Sequence, residues 1–182
     1  MGMKPHRILA VYFSATGTTQ KVVEHIAQAL ANTLSLPWEV RDFTLPAART
    51  GPLVFQGEDL VVFGTPVIAG RVPNVLLNYL TTLEGHGALA VPVVLFGNRD
   101  FDDALIELRD LLEQGGCHTA AAAAFVGEHS FSTTLAAGRP DREDLALAGS
   151  FAQQVAAKVS ALPGIPTPIP VPGTPAPYRG YY

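Results

Sequence analysis

The sequence predicts an α/β domain in which helices cover both faces of a parallel β-sheet. Two observations lead to this fold class. Apolar runs of strand length recur along the chain, and such unbroken runs are typical of strands buried on both faces. Segments with apolar residues at helical spacing alternate with these runs, and this alternation is typical of parallel strands joined by helical crossovers.

The first half of the chain supplies three strands and one clear helix. Residues 8–13 form an almost unbroken apolar run, and residues 19–33 carry apolar side chains at helical spacing. Residues 38–43 alternate between polar and apolar, which indicates a strand nearer the sheet edge. Prolines and glycines over residues 45–57 predict a loop with at most a turn of helix. Residues 59–64 form a third strand, buried like the first.

The second half continues the alternation. The predicted elements are a helix over 73–82, a strand over 91–96, a helix over 101–114, a strand over 118–126 and a helix over 140–161. Pro73 suits the first position of a helix. Pro92 lies near the beginning of its strand, where a missing N–H costs least. Gly115 and Gly116 end the helix that precedes them.

From residue 162 the composition changes, because the last 21 residues carry seven prolines. We therefore divide the chain into a domain over 1–161 and a proline-rich tail over 162–182. The tail is expected to be extended, without a packed core of its own. It lacks flanking basic residues for most of its length, so a linker or arm is favoured over a ligand for a proline-reading domain. Its aromatic end, residues 178–182, is expected to pack on its own domain or on a partner.

Composition and charge narrow the function classes. The 182 residues are 48% hydrophobic and 15% charged, which suits one globular domain. The net charge is −4 and there is no run of Lys or Arg, so the sequence favours neither nucleic acid nor an anionic membrane as a partner. Cys117 is the single cysteine, so an intramolecular disulfide is excluded and we expect a buried, structural thiol. No apolar run reaches the length of a signal-peptide core or a membrane span, which predicts a soluble cytoplasmic protein.

The turn after the first strand has the composition of a phosphate-binding loop. It contains Ser14, Ala15, Thr16, Gly17, Thr18 and Thr19 and opens the first helix. A helix N-terminus holds a phosphate through unpaired N–H groups and its dipole. The turn has neither the Gly-Lys-Ser/Thr of a Walker motif nor the repeated glycines of a dinucleotide fingerprint. The spacing suits one terminal phosphate, and an ordinary Ser/Thr cap of the helix is the alternative.

Residues 11–19, Val-Tyr-Phe-Ser-Ala-Thr-Gly-Thr-Thr, resemble the FMN-phosphate loop of the flavodoxin family. The resemblance extends over about residues 7–161. It implies a three-layer sandwich with a five-stranded parallel sheet of order 2-1-3-4-5 and helices on both faces. It also implies FMN as the cofactor, bound without a covalent link.

The resemblance assigns the two sides of the flavin ring to the loops after the third and fourth strands. The residues expected on one side are Thr65, Pro66, Val67, Ile68 and Gly70, and those on the other are Gly97, Asn98, Arg99 and Phe101. Many relatives carry an aromatic residue where this chain has Ile68. Phe101 matches the aromatic residue that often stacks on the ring, and packing into the core at the helix start is the alternative. Arg99 would either favour the anionic reduced flavin or be solvated.

The loop after the fifth strand contains His129, the histidine of the candidate site. It either supplies a proton or contacts substrate, or it shapes the loop by hydrogen bonding. Arg139 either binds an acidic substrate or forms part of a helix start together with Asp141. These loops resemble a flavodoxin branch often fused to a two-cluster ferredoxin, but the single cysteine leaves no such module here. A ferredoxin partner would be a separate chain.

The leading functional hypothesis is an FMN-binding redox protein that transfers electrons between partner proteins. An FMN-dependent reductase with a small organic substrate is the alternative, because the charge is modest for a carrier and the loop around His129 is polar. A flavodoxin-fold module that has lost FMN is the third reading. The chain is expected to be a monomer or homodimer that acts on a redox partner or a small molecule, with no metal site.

Overall fold

The computed structural model describes residues 4–97, 100–127 and 138–181. The strands are Arg7–Tyr12 (β1), Trp38–Asp42 (β2), Asp59–Pro66 (β3), Leu89–Gly97 (β4), His118–Thr119 (β5) and Ala123–Gly127 (β6). The α-helices are Thr18–Leu34 (α1), Leu77–Leu80 (α2), Ala104–Gln114 (α3) and Arg142–Ala161 (α4). Short 3₁₀ turns lie at Pro46–Arg49 and Asn74–Leu76.

The strands form one parallel sheet in the order β2-β1-β3-β4-β5, and β6 also pairs with β4. This confirms the predicted order 2-1-3-4-5. The strand order reverses at β1 and β3, whose carboxyl ends lie at one edge of the sheet. Ligands of open α/β sheets bind at that edge, close to such a reversal.

The predicted fifth strand, 118–126, is two strands rather than one. Ala90 pairs with Thr119 at the end of β5, and Val93 pairs with Ala123 at the start of β6. Between these pairs, two residues of β4 face three residues, 120–122. One of the two is Pro92, which has no N–H to give to a ladder. The extra residue opposite it interrupts the strand as a bulge does.

Successive residues of β1 pack on opposite faces of the sheet, as the period of a strand requires. Ile8 and Ala10 belong to the core that α1 and α4 cover. Leu9 and Val11 belong to the core under α2 and α3. Helices therefore lie on both faces, which gives three layers. Cys117 packs in the second core, where burial raises the pKa of its thiol to about 12.

Two helices are shorter than the sequence pattern predicted. The segment 73–82 contains a 3₁₀ turn and the single turn α2, because the hydroxyls of Thr81 and Thr82 donate to the carbonyls of Asn78 and Tyr79 and end the helix. Helix α3 starts at Ala104 rather than at Phe101, since Asp102 has a φ of 44° and cannot be helical. Across the described ranges, no helix combines the length and apolar character that a bilayer crossing needs.

Helix α4 begins with a reciprocal cap. The Asp141 side chain accepts the N–H of Asp144 at 3.0 Å, and the Asp144 side chain accepts the N–H of Asp141 at 2.9 Å. Arg139 donates to both oxygens of Asp144, at 2.8 and 2.6 Å. The hydrogen bond from Arg139 lowers the pKa of Asp144 to about 2. Arg139 thus takes part in the helix start, one of the two roles considered for it.

The tail contains no helix or strand in its described part, 162–181, and lies against α3 and its neighbours. The N–H of Ile169 donates to Thr119 Oγ1 at 3.1 Å, and its carbonyl accepts from Arg109 Nη1 at 3.0 Å. Val171 packs against the second core. These contacts fix the first half of the tail along α3.

The second half of the tail is held by two carboxylates. Asp103 accepts the N–H of Thr174 and the N–H of Arg179, each at 2.9 Å. Asp110 accepts from the Tyr178 hydroxyl at 2.5 Å. Burial alone would raise the pKa of Asp103, but these backbone hydrogen bonds lower it below its usual range. The aromatic end of the tail therefore packs on its own domain.

Candidate functional site

A cavity of about 510 Å³ opens at the carboxyl ends of β1, β3, β4 and β6. It has the size typical of small-molecule sites. Nine of the predicted site residues that the structure describes line it: Ala15, Thr16, Thr18, Thr19, Pro66, Val67, Ile68, Gly70 and Gly97. Three separate loops of the sequence therefore meet around one space, at the edge where the fold places ligands.

The loop after β1 forms the polar end of the cavity. Gly17 is the N-cap of α1 and has a φ of 88°, a conformation that glycine adopts readily. Ser14 Oγ accepts the N–H of Gln20 at 3.0 Å, and the Ser14 N–H donates to Thr44 Oγ1 at 2.9 Å. These bonds fix the loop from both sides. The N–H groups of Thr18 and Thr19 lie in the first turn, where a helix offers no internal acceptor.

The loop after β3 forms an apolar side of the cavity and turns sharply at Ala69 and Gly70. Ile68 and Arg71 exchange backbone hydrogen bonds of 2.9 and 3.0 Å across these two residues. Ala69 and Gly70 have φ values of 51° and 76°. A Cβ on Gly70 would lie 2.6 Å from Asp102 Oδ2. A glycine is therefore required for the loop to approach the start of α3 this closely.

An ion pair holds this loop against α3. Arg71 Nη2 lies 2.5 Å from Glu107 Oε2, and Glu107 Oε1 also accepts the N–H of Val72 at 3.0 Å. The Arg71 guanidinium lies 4.3 Å from the centroid of the Tyr181 ring. Glu107 is buried, and its hydrogen bond raises the pKa of Arg71. A carboxylate between Ile106 and Leu108 on a core-facing helix was the signal that could have indicated this pair.

The other side of the cavity comes from the end of β4. Leu95, Phe96 and Gly97 line it. Phe101 does not: its ring packs edge-on against Phe96, with 5.5 Å between the ring centroids. It also packs against the second core, the alternative considered for it, and its expected position over a flavin ring stays a prediction. Asn98, Arg99 and His129, which were predicted to complete the site, lie outside the described residues.

Three other predicted residues are described but do not line the cavity: Ser14, Gly17 and Thr65. Ser14 and Gly17 shape the loop, as described above. Thr65 is fully buried, and its Oγ1 has no hydrogen-bond partner among the residues that the structure describes. It lies in β3 immediately before the lining residue Pro66.

Charged residues at the cavity were missed by the sequence analysis. Asp100, Asp102 and Arg179 line it, and Arg179 Nη1 lies 2.6 Å from Asp102 Oδ2. Asp100 and Asp102 were not among the predicted site residues. Arg179 belongs to the tail, and no local pattern links it to a loop more than 70 residues earlier in the chain.

No family model matches the chain, and no curated protein matches it. Solved structures do. A Streptococcus pneumonia TIGR4 flavodoxin is similar over 84% of this chain and 99% of its own, with 19% identity and a TM-score of 0.56. A flavodoxin from the domain Archaea is similar over 85% and 99%, with 13% identity and a TM-score of 0.58.

This chain is also similar in structure to one part of a larger protein. The rubredoxin oxygen:oxidoreductase of the anaerobe Desulfovibrio gigas is similar over 87% of this chain and 37% of its own, with 14% identity and a TM-score of 0.60. At such identities the likeness concerns the fold. Together with the strand order, it shows that this chain is an α/β protein with the flavodoxin-like fold.

Proposed function

We propose that the chain binds FMN non-covalently and acts as a redox protein. One observation carries the proposal: the start of α1 opens into the same cavity that the apolar loops enclose. Thr16 and Thr18 line this cavity together with Val67 and Leu95. A helix start binds phosphate without Lys or Arg, and apolar walls suit a flat aromatic ring. FMN combines these two chemical features at its two ends.

The residues present fit FMN at both ends. The first-turn N–H groups and the hydroxyls of Thr16 and Thr18 would bind its phosphate. Pro66, Val67 and Leu95 would exclude water from the ring. The turn at Gly70, which lines the cavity, would bring backbone groups close to the ring edge. Bound FMN would supply the electron chemistry, while the protein supplies binding, orientation and electrostatics.

Electron transfer to or from a partner protein is the activity we favour. Ile68 and Val75 line the cavity and are 41% and 66% exposed. Two exposed apolar side chains beside a redox centre suit transient docking of a partner. A reductase with a small organic substrate is the second candidate. Asp100 and Asp102 favour it, because polar groups in an apolar cavity can orient a substrate.

The experiment that tests the proposal is a titration of the purified full chain with FMN, followed by riboflavin as a ligand without phosphate. We expect FMN to bind at micromolar concentration or below, with a shift of its absorbance bands. Riboflavin should bind about 100-fold more weakly, since it lacks the charge-assisted hydrogen bonds of the phosphate, worth about 3 kcal/mol in total. Equal binding of the two would contradict the phosphate site at α1.

Anaerobic stepwise reduction of the FMN complex separates the candidate activities. Reduction in two distinct one-electron steps supports a carrier that exchanges single electrons with a partner. Reduction in one two-electron step supports the reductase and directs the search to small substrates. Failure to bind FMN would overturn the proposal and leave a flavodoxin-fold module with another function.

A further inference from the structure

The tail brings a positive charge to the candidate flavin cavity. Arg179 is the one Lys or Arg among the described residues that line it. Its side chain is about a quarter exposed, at 26%, as is that of its partner Asp102, at 28%. The charge is therefore shielded from bulk solvent and lies where electrostatic interactions are stronger than at an open surface.

Three independent contacts fix Arg179 in place. Its N–H donates to Asp103 Oδ2 at 2.9 Å, and its carbonyl accepts from Arg71 Nη1 at 3.2 Å. Its guanidinium pairs with Asp102. A Cβ on Gly70 would lie 2.9 Å from Arg179 Cδ, so the side chain packs directly on the loop that follows β3. Backbone and side chain are both held, which makes the position of the charge reproducible.

We propose that the tail is a wall of the flavin site and that Arg179 tunes the bound flavin by favouring its negatively charged reduced form. The inference rests on the proposed function. Two electrons and one proton convert the neutral oxidised ring into a reduced ring with a single negative charge. A nearby cation stabilises only the charged form, and charge close to the ring is one means by which a protein sets a flavin's electronics.

Asp102 opposes this effect. Its carboxylate lines the same cavity and partly neutralises Arg179. Removing the cation and removing the carboxylate should therefore change the affinity for reduced flavin in opposite directions. A tail that merely needs the ion pair for docking would respond in the same direction to both changes. This difference in sign separates tuning from a structural role.

The test uses the full chain in five forms: wild type, Arg179→Gln, Arg179→Lys, Asp102→Asn and Lys158→Gln. Asn tolerates the positive φ of position 102. Lys158 is exposed in the last turn of α4 and serves as the matched loss of one positive charge. The dissociation constants of oxidised and of dithionite-reduced FMN are measured by flavin fluorescence and absorbance, and thermal unfolding checks that each variant is folded.

In Arg179→Gln we expect the dissociation constant of reduced FMN, divided by that of oxidised FMN, to rise about tenfold. This is the effect expected from the loss of one partly screened charge. For a two-electron couple this corresponds to a midpoint potential about 30 mV lower. Asp102→Asn should lower the ratio, whereas Arg179→Lys and Lys158→Gln should stay near wild type. If Arg179→Gln does not fold, the direction in which this ratio changes in Asp102→Asn tests the inference: a lower ratio supports it, and an equal or higher ratio contradicts it.

Two results would overturn the inference while leaving the proposed function intact. One is an unchanged ratio in both Arg179→Gln and Asp102→Asn. The other is a change of the same sign in the two variants. If the wild-type chain does not bind FMN, the proposed function and this inference fall together.

Discussion

Gly64 lies in β3, where α1 packs directly on the sheet. A Cβ at this position would overlap Val23 Cγ2 and lie 2.9 Å from Thr19 Cγ2. Val23 is β-branched and cannot easily turn away. We expect Gly64→Ala to lower the free energy of unfolding by about 1–3 kcal/mol, as overpacking does. Because α1 carries the proposed phosphate site, FMN affinity should fall as well. Denaturant unfolding and flavin titration measure the two effects.

Gly51→Ala is the matched control for this prediction. A Cβ on Gly51 would meet nothing within 4 Å. Its effect on the free energy of unfolding should stay within about 0.5 kcal/mol, as for ordinary surface substitutions. Equal stability of the two variants would show that α1 can move away from β3 without cost.

Asp144 gives a pH-dependent prediction at the start of α4. Its pKa of about 2 in the folded chain lies below the usual value of about 3.9 for an unfolded Asp. Ionised Asp144 therefore stabilises the fold above about pH 4, and this contribution disappears as the pH falls through about 2. Asp144→Asn should cost about 1–3 kcal/mol at pH 6, through the lost cap and ion pair.

The measurement is denaturant unfolding of wild type and Asp144→Asn between pH 6 and pH 2. The difference in free energy of unfolding should be constant down to about pH 5 and shrink towards zero near pH 2. A difference that does not change with pH would mean that the carboxylate charge contributes nothing and that only side-chain shape matters.

The tail is attached to the start of α3 mainly through hydrogen bonds to Asp103. Its carboxylate accepts hydrogen bonds from two backbone N–H groups of the tail, so Asp103→Ala removes the acceptor of both. We expect faster amide hydrogen exchange over residues 170–181, with little change in the strands, because the tail contributes few contacts to the sheet. Glu143→Ala, an exposed acid in the first turn of α4, is the control.

The same docking should weaken at acidic pH. Because the folded pKa of Asp103 is lower than its usual value, the hydrogen bonds to the tail are fully present at neutral pH and are lost as the carboxyl becomes protonated. Once exchange is corrected for the pH dependence of the intrinsic rate, the protection of the tail amides in Asp103→Ala should therefore match that of the wild type measured in acid. Unchanged exchange over 170–181 in Asp103→Ala would show that Tyr178 and Tyr181 hold the tail without this carboxylate.

The individual elements follow closely from apolar patterning. The runs at 8–13 and 59–64 became β1 and β3 within two residues at each end, because both faces of these strands are buried. The apolar pattern did not predict element boundaries that depend on a single backbone feature. The missing N–H of Pro92 and one extra residue divided the fifth strand into β5 and β6. A left-handed φ at Asp102 delayed the start of α3, and neither feature has a periodic signal.

For the molecule as a whole, the resemblance of residues 11–19 to the flavodoxin phosphate loop implied the sheet order. The meeting of three loops at the cavity followed from the pattern itself, because a parallel sheet has all its carboxyl ends at one edge. The site's charged wall could not be predicted. Arg179 reaches Asp102 only because the tail runs back along α3, and that path depends on single hydrogen bonds between distant residues. Composition indicated an extended segment but not the surface on which it lies.

The route of the tail also determines where an attached tag or solid support would sit. The Tyr181 hydroxyl donates to the carbonyl of Val72, next to the turn that borders the cavity. A polyhistidine tag attached close to Tyr181 would therefore lie beside the cavity and crowd its opening. Strand β1 begins at Arg7, at the opposite edge of the sheet. Attachment to an electrode through the amino-terminal end would leave the cavity facing the solution.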